Sequence, residues 1–288
     1  MVARILDIPL VTITQSCYHT RAKYKPQRYW IEHDTPLFDK SVHTINTIFH
    51  EYGVPLLDCF EELFIGNMTL IPSFPEFDLL SDYKADRDKT YFIGPILWDG
   101  LYKKDFVNDL QQDKPLIFCY GGQLHDYAGS GGLDFVNAIV EVCADVNANV
   151  LLSIDNGANY QYKHKNLIIK NWVPVEYAHR NSDLIICHGG HVSCMGLFKY
   201  AVPGIILATH TEREYNARLV QALGAGILIE KNNYSNEVLR HAIFSLLKDK
   251  SYSKTVKKYS DHINSNYKNG EIIAANHISS LLDRGKFY

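Results

Sequence analysis

The sequence lacks any long hydrophobic run and any excess of basic charge. Val202–Ala208 is typical of its longest apolar stretches, and it is far shorter than the ~20 residues that span a bilayer. Lys and Arg number 29 against 32 Asp and Glu, which gives a net charge of -3. A protein held on nucleic acid or anionic lipid by phosphate contacts carries a basic surplus. We therefore expect neither an integral membrane segment nor a nucleic-acid partner.

Cysteine is present, but the spacing of a metal site or disulfide framework is absent. The six are Cys17, Cys59, Cys119, Cys143, Cys187 and Cys194, and no two form a CxxC pair. Buried thiols in a reducing cytosol are therefore favoured over a zinc site. The opening stretch MVARILDIPLVTITQS also lacks a signal-peptide pattern, because Arg4 and Asp7 interrupt it. These features predict a cytoplasmic location.

What is present is an ordinary globular balance over 288 residues, with 46% apolar and 21% charged residues. This length predicts about two domains. A β-branched run at Pro9–Ser16 predicts a strand, and an apolar face over Asp39–Tyr52 predicts a helix. Gly, Pro and charge near Trp98–Lys104 mark a domain boundary. Beyond it, strand-like runs alternate with helical patterns, which is typical of a Rossmann-like parallel sheet covered on both faces. These runs are Pro115–Tyr120, Val150–Ile154, Leu167–Ile169, Asp183–Cys187, Gly204–Ala208 and Gly226–Ile229.

The segment DLIICHGGHVSC carries the strongest local signal for a ligand site. A strand ends at Cys187, a turn follows at His188–Gly190, and a helix begins near Val192. Glycines let an anion approach the backbone, and amides in a helix's first turn attract a phosphate. The alternative is that the glycines only permit a tight turn and that His188 is satisfied locally. Both readings stay open on this fragment alone.

The longer string NLIIKNWVPVEYAHRNSDLIICHGGHVSCMGLFKYAVPGIILATHTEREYNARLVQALGAGILI resembles the donor-binding signature of the UDP-glycosyltransferase superfamily, whose members have the GT-B fold. The residues that match in order and spacing are Trp172, Pro174, His188–Gly190, Ser193, Val202–Pro203, Glu212, Asn216–Ala217 and Leu223–Gly224. Upstream, PLIFCYGGQ looks like the first C-terminal strand and glycine loop, and YFIGPILW like the interdomain linker. The likeness covers almost the whole chain.

The resemblance implies a role for each matching residue. Trp172 would stack on a uracil or thymine ring, although it could instead only fill a gap between strands. His188 and the amides of Gly190, Ser193 and Cys194 would hold the diphosphate. Gly122 and Gln123 would lie where the first loop approaches the donor. Glu212 would bind sugar hydroxyls, with a plain solvated acid at a helix start as the alternative.

Three positions depart from the superfamily pattern. Val175 stands where a Gln usually follows the W-x-P sequence, and Gly196 stands where many members have an acidic ribose ligand. Arg213 replaces the Gln of the acidic-Gln pair. Each loss of a buried hydrogen bond costs ~0.5–1.5 kcal/mol, so the donor's identity is open. Arg213 could favour an acidic sugar such as a uronate through bidentate pairing.

The front of the chain differs most from the superfamily. Its members begin with a strand, a Gly-rich turn and a His that acts as general base, and no residue here matches that base. His19 is the nearest substitute in the sequence. The resemblance predicts an α/β, GT-B type protein with a partial N-terminal Rossmann-like domain and a complete C-terminal nucleotide-sugar domain. The boundaries would be 1–98 for the acceptor side, 99–270 for the donor domain and 271–288 for a helix that crosses back.

By resemblance, the activity would be inverting, metal-independent transfer of a hexose from a UDP or dTDP sugar to an acceptor hydroxyl. The acceptor would be a small molecule or a lipid, and the missing half would come from a second chain or from a longer form of this protein. The nucleotide sugar is a substrate, so no cofactor is expected. No metal is expected either, since the one Asp-x-Asp spacing, Asp86–Asp88, reads as a solvated loop. The alternative is a nucleotide-sugar-binding fragment without turnover. A Rossmann protein for another nucleotide is disfavoured, because no GxGxxG follows the first strand of the second domain.

Overall fold

The computed structural model describes residues 1–22, 35–85, 89–98, 113–122, 131–143, 145–154, 164–208 and 211–283. The chain forms two compact units. The first contains Met1–Ile96 together with Asn266–Tyr288, and the second contains Leu97–Ser265. The last helix of the chain thus belongs with the N-terminal unit. Within the described residues, no helix combines the length and apolar character needed to cross a membrane.

The first unit is built on a three-stranded parallel sheet in the order β1-β2-β3. The strands are β1 (Val11–Ile13), β2 (Met68–Ile71) and β3 (Thr90–Phe92). The helices are α1 (Val2–Ile5), α2 (Thr35–Glu51) and, from the end of the chain, α9 (Gly270–Asp283), with 3₁₀ turns at Ser16–Tyr18 and Phe60–Phe64. Leu70 and Ile93 form a core with Ala274 of α9. The predicted first strand is present but shorter than Pro9–Ser16, because the chain turns into a 3₁₀ helix at Ser16.

The second unit is built on a six-stranded parallel sheet in the order β6-β5-β4-β7-β8-β9. Its strands are β4 (Leu116–Tyr120), β5 (Asn149–Ser153), β6 (Leu167–Lys170), β7 (Leu184–Cys187), β8 (Gly204–Leu207) and β9 (Gly226–Ile229). Its helices are α3 (Gly131–Cys143), α4 (Val175–Asn181), α5 (His191–Tyr200), α6 (Thr211–Ala222), α7 (Asn236–Lys248) and α8 (Lys250–Asn266). Strands β5 and β7 are buried along their whole length. The predicted parallel α/β architecture is confirmed.

The strand order of the second unit places its loops. From β4 the chain moves outward to β5 and β6, returns to the other side of β4 as β7, and continues to β8 and β9. The direction of winding therefore reverses between β4 and β7, which pair in parallel with Phe118 opposite Ile185. In open α/β sheets, ligands bind beyond the carboxyl ends of the strands at such a reversal. Gly121–Gly122 and His188–Gly190 are the segments that follow β4 and β7.

Candidate functional site

Gly122 and His188 meet at the reversal between β4 and β7. Gly122 has a φ of +85°, and a Cβ there would lie 3.4 Å from Cε1 of the His188 ring. The His188 ring is buried, its Nδ1 lies 3.5 Å from the Tyr120 carbonyl oxygen, and it makes an edge contact with the Tyr120 ring at 5.5 Å. The backbone after β4 thus packs on the histidine after β7, as expected if both loops border one ligand.

Gly189 is the position where the turn needs glycine most. Its φ is +91°, and a Cβ would come within 2.7 Å of the Arg213 carbonyl oxygen and 2.8 Å of Ile206 Cγ2. A side chain would therefore combine backbone strain with overlap against both β8 and α6. The neighbouring Gly190 caps α5 in an extended conformation, and a Cβ there would lie 2.8 Å from His188 Nε2. The sequence HGG is fixed by close packing around the histidine.

The first turn of α5 contains the predicted amide donors, with one correction. Gly190, Val192 and Ser193 lie in this turn, whose amides have no acceptor within the helix. The Cys194 amide, which we expected to point at the anion, donates 3.0 Å to the Gly190 carbonyl oxygen. It makes the first intrahelical hydrogen bond and is unavailable to a ligand. The anion-facing backbone therefore ends at Ser193.

The side chain of Cys194 lies under the turn rather than in the site. Its thiol donates to Cys187, and this bond, the Gly189 amide and the charge of Arg213 lower the pKa of the Cys187 thiol, although burial alone would raise it. Both cysteines are buried. Arg213 is thus near enough to the base of the HGG turn for its charge to be felt there. The two buried thiols thus join the end of β7 to the start of α5.

Glu212 is tied to the HGG turn through Asn216, one helical turn later in α6. The Asn216 amide nitrogen donates 2.6 Å to Glu212 Oε1 and 3.0 Å to the Gly189 carbonyl oxygen. Asn216 is 1% exposed, and its bond to the Gly189 carbonyl oxygen is sheltered from water, whereas its bond to Glu212 is only partly buried. The sequence identified Asn216 only as part of a matching motif and assigned it no role. The structure shows that it couples the acidic residue to the turn.

Trp172 stands two residues beyond the end of β6, at the same carboxyl edge. Its indole is 45% exposed, and its ring centroid lies 6.0 Å from that of Trp98 at an interplanar angle of 46°. The prediction that Trp172 only fills a gap between strands does not suit so exposed a ring. Trp98, which we had used only to mark a domain boundary, is the larger omission of the sequence analysis. The usable signal was a second tryptophan at the start of the same unit.

Val175 and Gly196 depart from the superfamily pattern, and the structure shows what surrounds them. Val175 opens α4, and its carbonyl oxygen accepts 2.8 Å from His179 Nδ1. A Cβ on Gly196 would lie 2.5 Å from His179 Nε2, so the histidine occupies the space that a side chain at position 196 would need. Burial lowers the pKa of His179 to about 4. A neutral, buried histidine thus fills the position.

The remaining predicted residues add no side chain to the candidate site among the described residues. Gln123 and Asp86–Asp88 lie outside the described residues. His19 is buried, its Nε2 lies 3.1 Å from Thr90 Oγ1, and its Nδ1 accepts 3.1 Å from the Arg21 amide. Both ring nitrogens therefore have internal partners. In the described ranges, no cluster of three or more His, Cys, Asp or Glu side chains has the arrangement of a metal site.

The candidate residues follow one another in a fixed order along the carboxyl edge of the sheet. Trp172 follows β6, His188 follows β7, and Glu212 follows β8. Between β6 and β7 lie three inter-strand spacings of about 4.8 Å, or about 14 Å in all. An aromatic ring, a set of anion-facing amides and a carboxylate thus succeed one another across the carboxyl edge.

Known proteins resemble parts of this sequence and share its fold. Residues 137–278 match the family model of the erythromycin biosynthesis protein CIII-like C-terminal domain. A PGL/p-HBAD biosynthesis rhamnosyltransferase of Mycobacterium bovis is 21% identical over 197 residues, which are 68% of this chain and 42% of that protein. The chain spans about half the length of the curated relatives it matches.

Two solved structures show the same fold at low identity. The glycotransferase of kitacinnamycin has a TM-score of 0.73 at 18% identity, covering 98% of this chain and 72% of that one. The spinosyn rhamnosyltransferase SpnG complexed with thymidine diphosphate has a TM-score of 0.68 at 16% identity, covering 92% and 66%. The GT-B prediction is confirmed for the fold, and these matches support the resemblance to the UDP-glycosyltransferase superfamily.

Proposed function

We propose that the second unit binds a nucleotide diphosphate sugar, UDP- or dTDP-linked, as donor for inverting, metal-independent transfer of a hexose to an acceptor hydroxyl. The observation that carries this proposal is the order of groups along one sheet edge. Trp172, the His188 turn and Glu212 follow one another as base, diphosphate and sugar do in a nucleotide sugar. The nucleotide sugar is a substrate in this scheme, so no further cofactor is invoked.

The diphosphate subsite rests on the packing of Gly122 against His188 and on the first turn of α5. Backbone amides and a helix dipole attract negative charge, and here they act beside a buried imidazole. The same groups would stabilise the diphosphate as it leaves, because its charge grows when the bond to the sugar breaks. Fixed donors need no reorganisation at that moment. A structural relative, SpnG, has been seen with thymidine diphosphate, which supports this assignment.

The sugar subsite rests on Glu212. Its carboxylate accepts one bond from Asn216 and retains further lone pairs for sugar hydroxyls. Asn216 is also bonded to Gly189, so the carboxylate is held in a fixed position relative to the phosphate turn. Arg213 lies beside it in α6, and we propose that a donor carrying a carboxylate would pair with its guanidinium. The acceptor would be a small molecule or a lipid, as SpnG has also been seen with its aglycone.

His19 is not suited to act as the general base. Taking a proton at Nδ1 would require His19 to give up the Arg21 amide, and Nε2 is engaged with Thr90. We therefore propose that a residue other than His19 deprotonates the acceptor, and a second chain is one source of that residue. The second candidate function, a nucleotide-sugar-binding subunit without turnover of its own, is favoured by the same observation.

The test is to compare binding and turnover by the 288-residue chain. UDP or dTDP at a hundredfold excess over Kd should stabilise the fold by ~2.7 kcal/mol and raise the melting temperature by several degrees. His188→Ala should weaken diphosphate binding by about 1.5–3 kcal/mol, the range for hydrogen bonds to charged groups. Binding of uridine should change little. The exposed His241 of α7 supplies the matched control, since His241→Ala should leave both ligands unaffected.

Two results would contradict the proposal. Equal losses for UDP and uridine in His188→Ala would make the histidine structural. Absence of any melting shift with UDP and dTDP would mean that Val175, Gly196 and Arg213 have removed donor binding. Sugar transfer by the chain alone would leave the donor site intact but would place the base within residues 1–288.

A further inference from the structure

His179 is buried where α4 packs on α5, and it is 2% exposed. Its Nδ1 donates a hydrogen bond of 2.8 Å to the Val175 carbonyl oxygen, one turn earlier in α4. On the other side, a Cβ on Gly196 of α5 would lie 2.5 Å from Nε2 and 2.8 Å from Cδ2 of the ring. The rings of Phe118 in β4 and Tyr200 in α5 have their centroids 6.4 Å and 5.8 Å away. One imidazole therefore occupies the contact between two helices and the sheet.

Gly196 stands in the middle of α5, at the point that faces the His179 ring. Glycine in the interior of a helix is less favourable than alanine, so its presence there calls for a packing reason. Here the reason is the ring, which occupies the space that a methyl group would take. Burial lowers the pKa of His179, and the backbone of Ser193 is near enough to the ring to raise it in part. The close approach of the ring thus extends to the first turn of α5.

The two helices that meet at His179 begin beside different subsites of the proposed donor site. Helix α4 starts at Val175, three residues after Trp172, which is the residue proposed for the base. Helix α5 starts directly after the HGG turn, and its first turn contains the amides proposed for the diphosphate. The base and the diphosphate of one nucleotide are joined covalently. Both subsites therefore bind at once only if their separation matches the ligand.

We propose that His179 is a positioning residue, which sets the spacing between α4 and α5 and thereby between the base and diphosphate subsites. This inference rests on the proposed function. The bond to Val175 fixes the rotamer of the ring, and the contact with Gly196 sets how closely the helices approach. Close-packed interiors pass a change of volume on to their neighbours as a displacement. His179 acts through the two helices and not on the ligand.

Two substitutions change the space at this contact in opposite directions. His179→Asn retains a donor for the Val175 carbonyl oxygen but removes the ring from Gly196. Gly196→Ala adds a methyl group where the ring stands, and the enclosed, hydrogen-bonded ring cannot swing away. Gly196→Ala should therefore lower the melting temperature of the wild-type chain, because the overlap outweighs the gain from replacing a helical glycine. In the His179→Asn background the same methyl group fills the vacated space and should raise the melting temperature.

The affinity for UDP should follow the same reversal. Each single variant should weaken UDP binding about tenfold, since small displacements between two binding groups have effects of at least this size. The double variant should recover most of the lost affinity. Uridine and inorganic pyrophosphate each occupy one subsite and do not sense the spacing, so their binding should change less than about twofold. A role in stability alone would not separate UDP from its two fragments.

The experiment measures UDP binding by calorimetry, and uridine and pyrophosphate binding by displacement of UDP, at a temperature where every chain is folded. The chains are the wild type, His179→Asn, Gly196→Ala, the double variant and Leu246→Ala. Leu246 is buried in the core under α7, away from both subsites. Leu246→Ala should therefore lower the melting temperature and leave all three affinities unchanged, which makes it the matched control for lost stability.

The outcomes separate this inference from the proposed function. If the wild-type chain binds UDP but His179→Asn binds it equally well, or loses uridine or pyrophosphate by the same factor, the inference is wrong and the proposed function stands. A further loss of UDP affinity on adding Gly196→Ala to His179→Asn would also overturn it. If the wild-type chain binds neither UDP nor dTDP, the proposed function fails and the positioning role fails with it.

Discussion

The two units use the same parallel strand pairing with very different degrees of burial. In the second unit, β5 and β7 are completely buried, and helices pack on the sheet through an extended core. In the first unit, β1 is an edge strand of three residues, and the side chain of Ile13 is 57% exposed. A sheet that is buried on both faces holds its loops rigidly. The groups that we propose to bind the donor follow the strands of such a sheet, so the fold can hold them in place before a ligand arrives.

Substitutions of glycine should give the largest difference between the two units in stability and in nucleotide binding. Gly189→Ala combines a φ of +91° with overlap against Arg213 and Ile206, and Gly94→Ala in the first unit combines a φ of +80° with overlap against the Cβ of Tyr267. Strain and overpacking together should cost about 3 kcal/mol in each case. Gly189→Ala should abolish nucleotide binding, whereas Gly94→Ala should destabilise only the first unit and leave UDP affinity unchanged.

The matched control for both variants is Gly53, whose φ of +67° is similar but whose Cβ would meet nothing within 4 Å. Gly53→Ala should cost only the backbone strain, about 1 kcal/mol. Denaturant unfolding and thermal melting, each monitored separately for the two units, measure the loss of stability in the three variants. A Gly189→Ala chain that binds UDP normally would show that the turn can relax, and the packing argument for the HGG sequence would be wrong.

The buried His179 should make the stability of the second unit depend on pH. Burial lowers its pKa in the folded state to about 4, below the ordinary value of 6.5. The unfolded chain therefore takes up a proton first as the pH falls from 6.5, and stability declines until the folded state is protonated near pH 4. The full effect of this residue is about 3 kcal/mol.

Urea titrations of the free energy of unfolding at several pH values between 7 and 4 test this prediction. His179→Asn retains a donor for the Val175 carbonyl oxygen but cannot ionise in this range, so its stability should fall less steeply with acidification. The exposed His241 again provides the control, because His241→Asn should follow the wild-type slope. Identical slopes for all three chains would show that His179 is not buried as a neutral imidazole.

Asn216 should give the next largest effect, because it links the turn after β7 to the acid of α6. Asn216→Ala leaves the Gly189 carbonyl oxygen and Glu212 without this buried donor, which should cost about 1–3 kcal/mol of stability. The variant should also bind UDP-glucose less tightly relative to UDP, since Glu212 is no longer held. Glu212→Gln keeps an oxygen that accepts from Asn216 and should cost little stability. If Asn216→Ala binds UDP-glucose as tightly relative to UDP as the wild type does, Asn216 does not hold Glu212 for the sugar.

The difference between the units also explains which strands could be predicted from the sequence. Long apolar runs such as Val150–Ile154 identified the buried strands of the second unit, because burial on both faces leaves a continuous hydrophobic pattern. The short strands of the first unit leave only a few residues of pattern, so the strand at Pro9–Ser16 was predicted too long. The HGG turn was found because its glycines and histidine carry a recognisable spacing.

Contacts between distant side chains could not be read in the same way. Nothing in the local pattern links Trp98 to Trp172, or Gly196 to His179, because each contact depends on how separate loops and helices pack. The error at Cys194 has a different cause. The fourth amide of an α-helix bonds to the capping residue's carbonyl, so the exact first residue of α5 decides which amides face a ligand. The helix begins at His191, one residue earlier than expected, and this difference was enough to misassign the Cys194 amide.

The smallest expected effect gives the sharpest comparison, because it applies the same substitution to both sheets. Ile186→Val in β7 removes one methylene from a fully buried side chain and should cost about 0.5–1.5 kcal/mol. Ile13→Val removes the same group from a side chain that is more than half exposed, and should cost less than about 0.5 kcal/mol. Unfolding of the two variants in urea, at two protein concentrations, measures the difference. If Ile13→Val costs as much as Ile186→Val, β1 must be covered in solution. A cost that grows with protein concentration would assign that cover to another copy of the chain, whereas a small cost at both concentrations would show that the Ile13 side chain is exposed to solvent in solution.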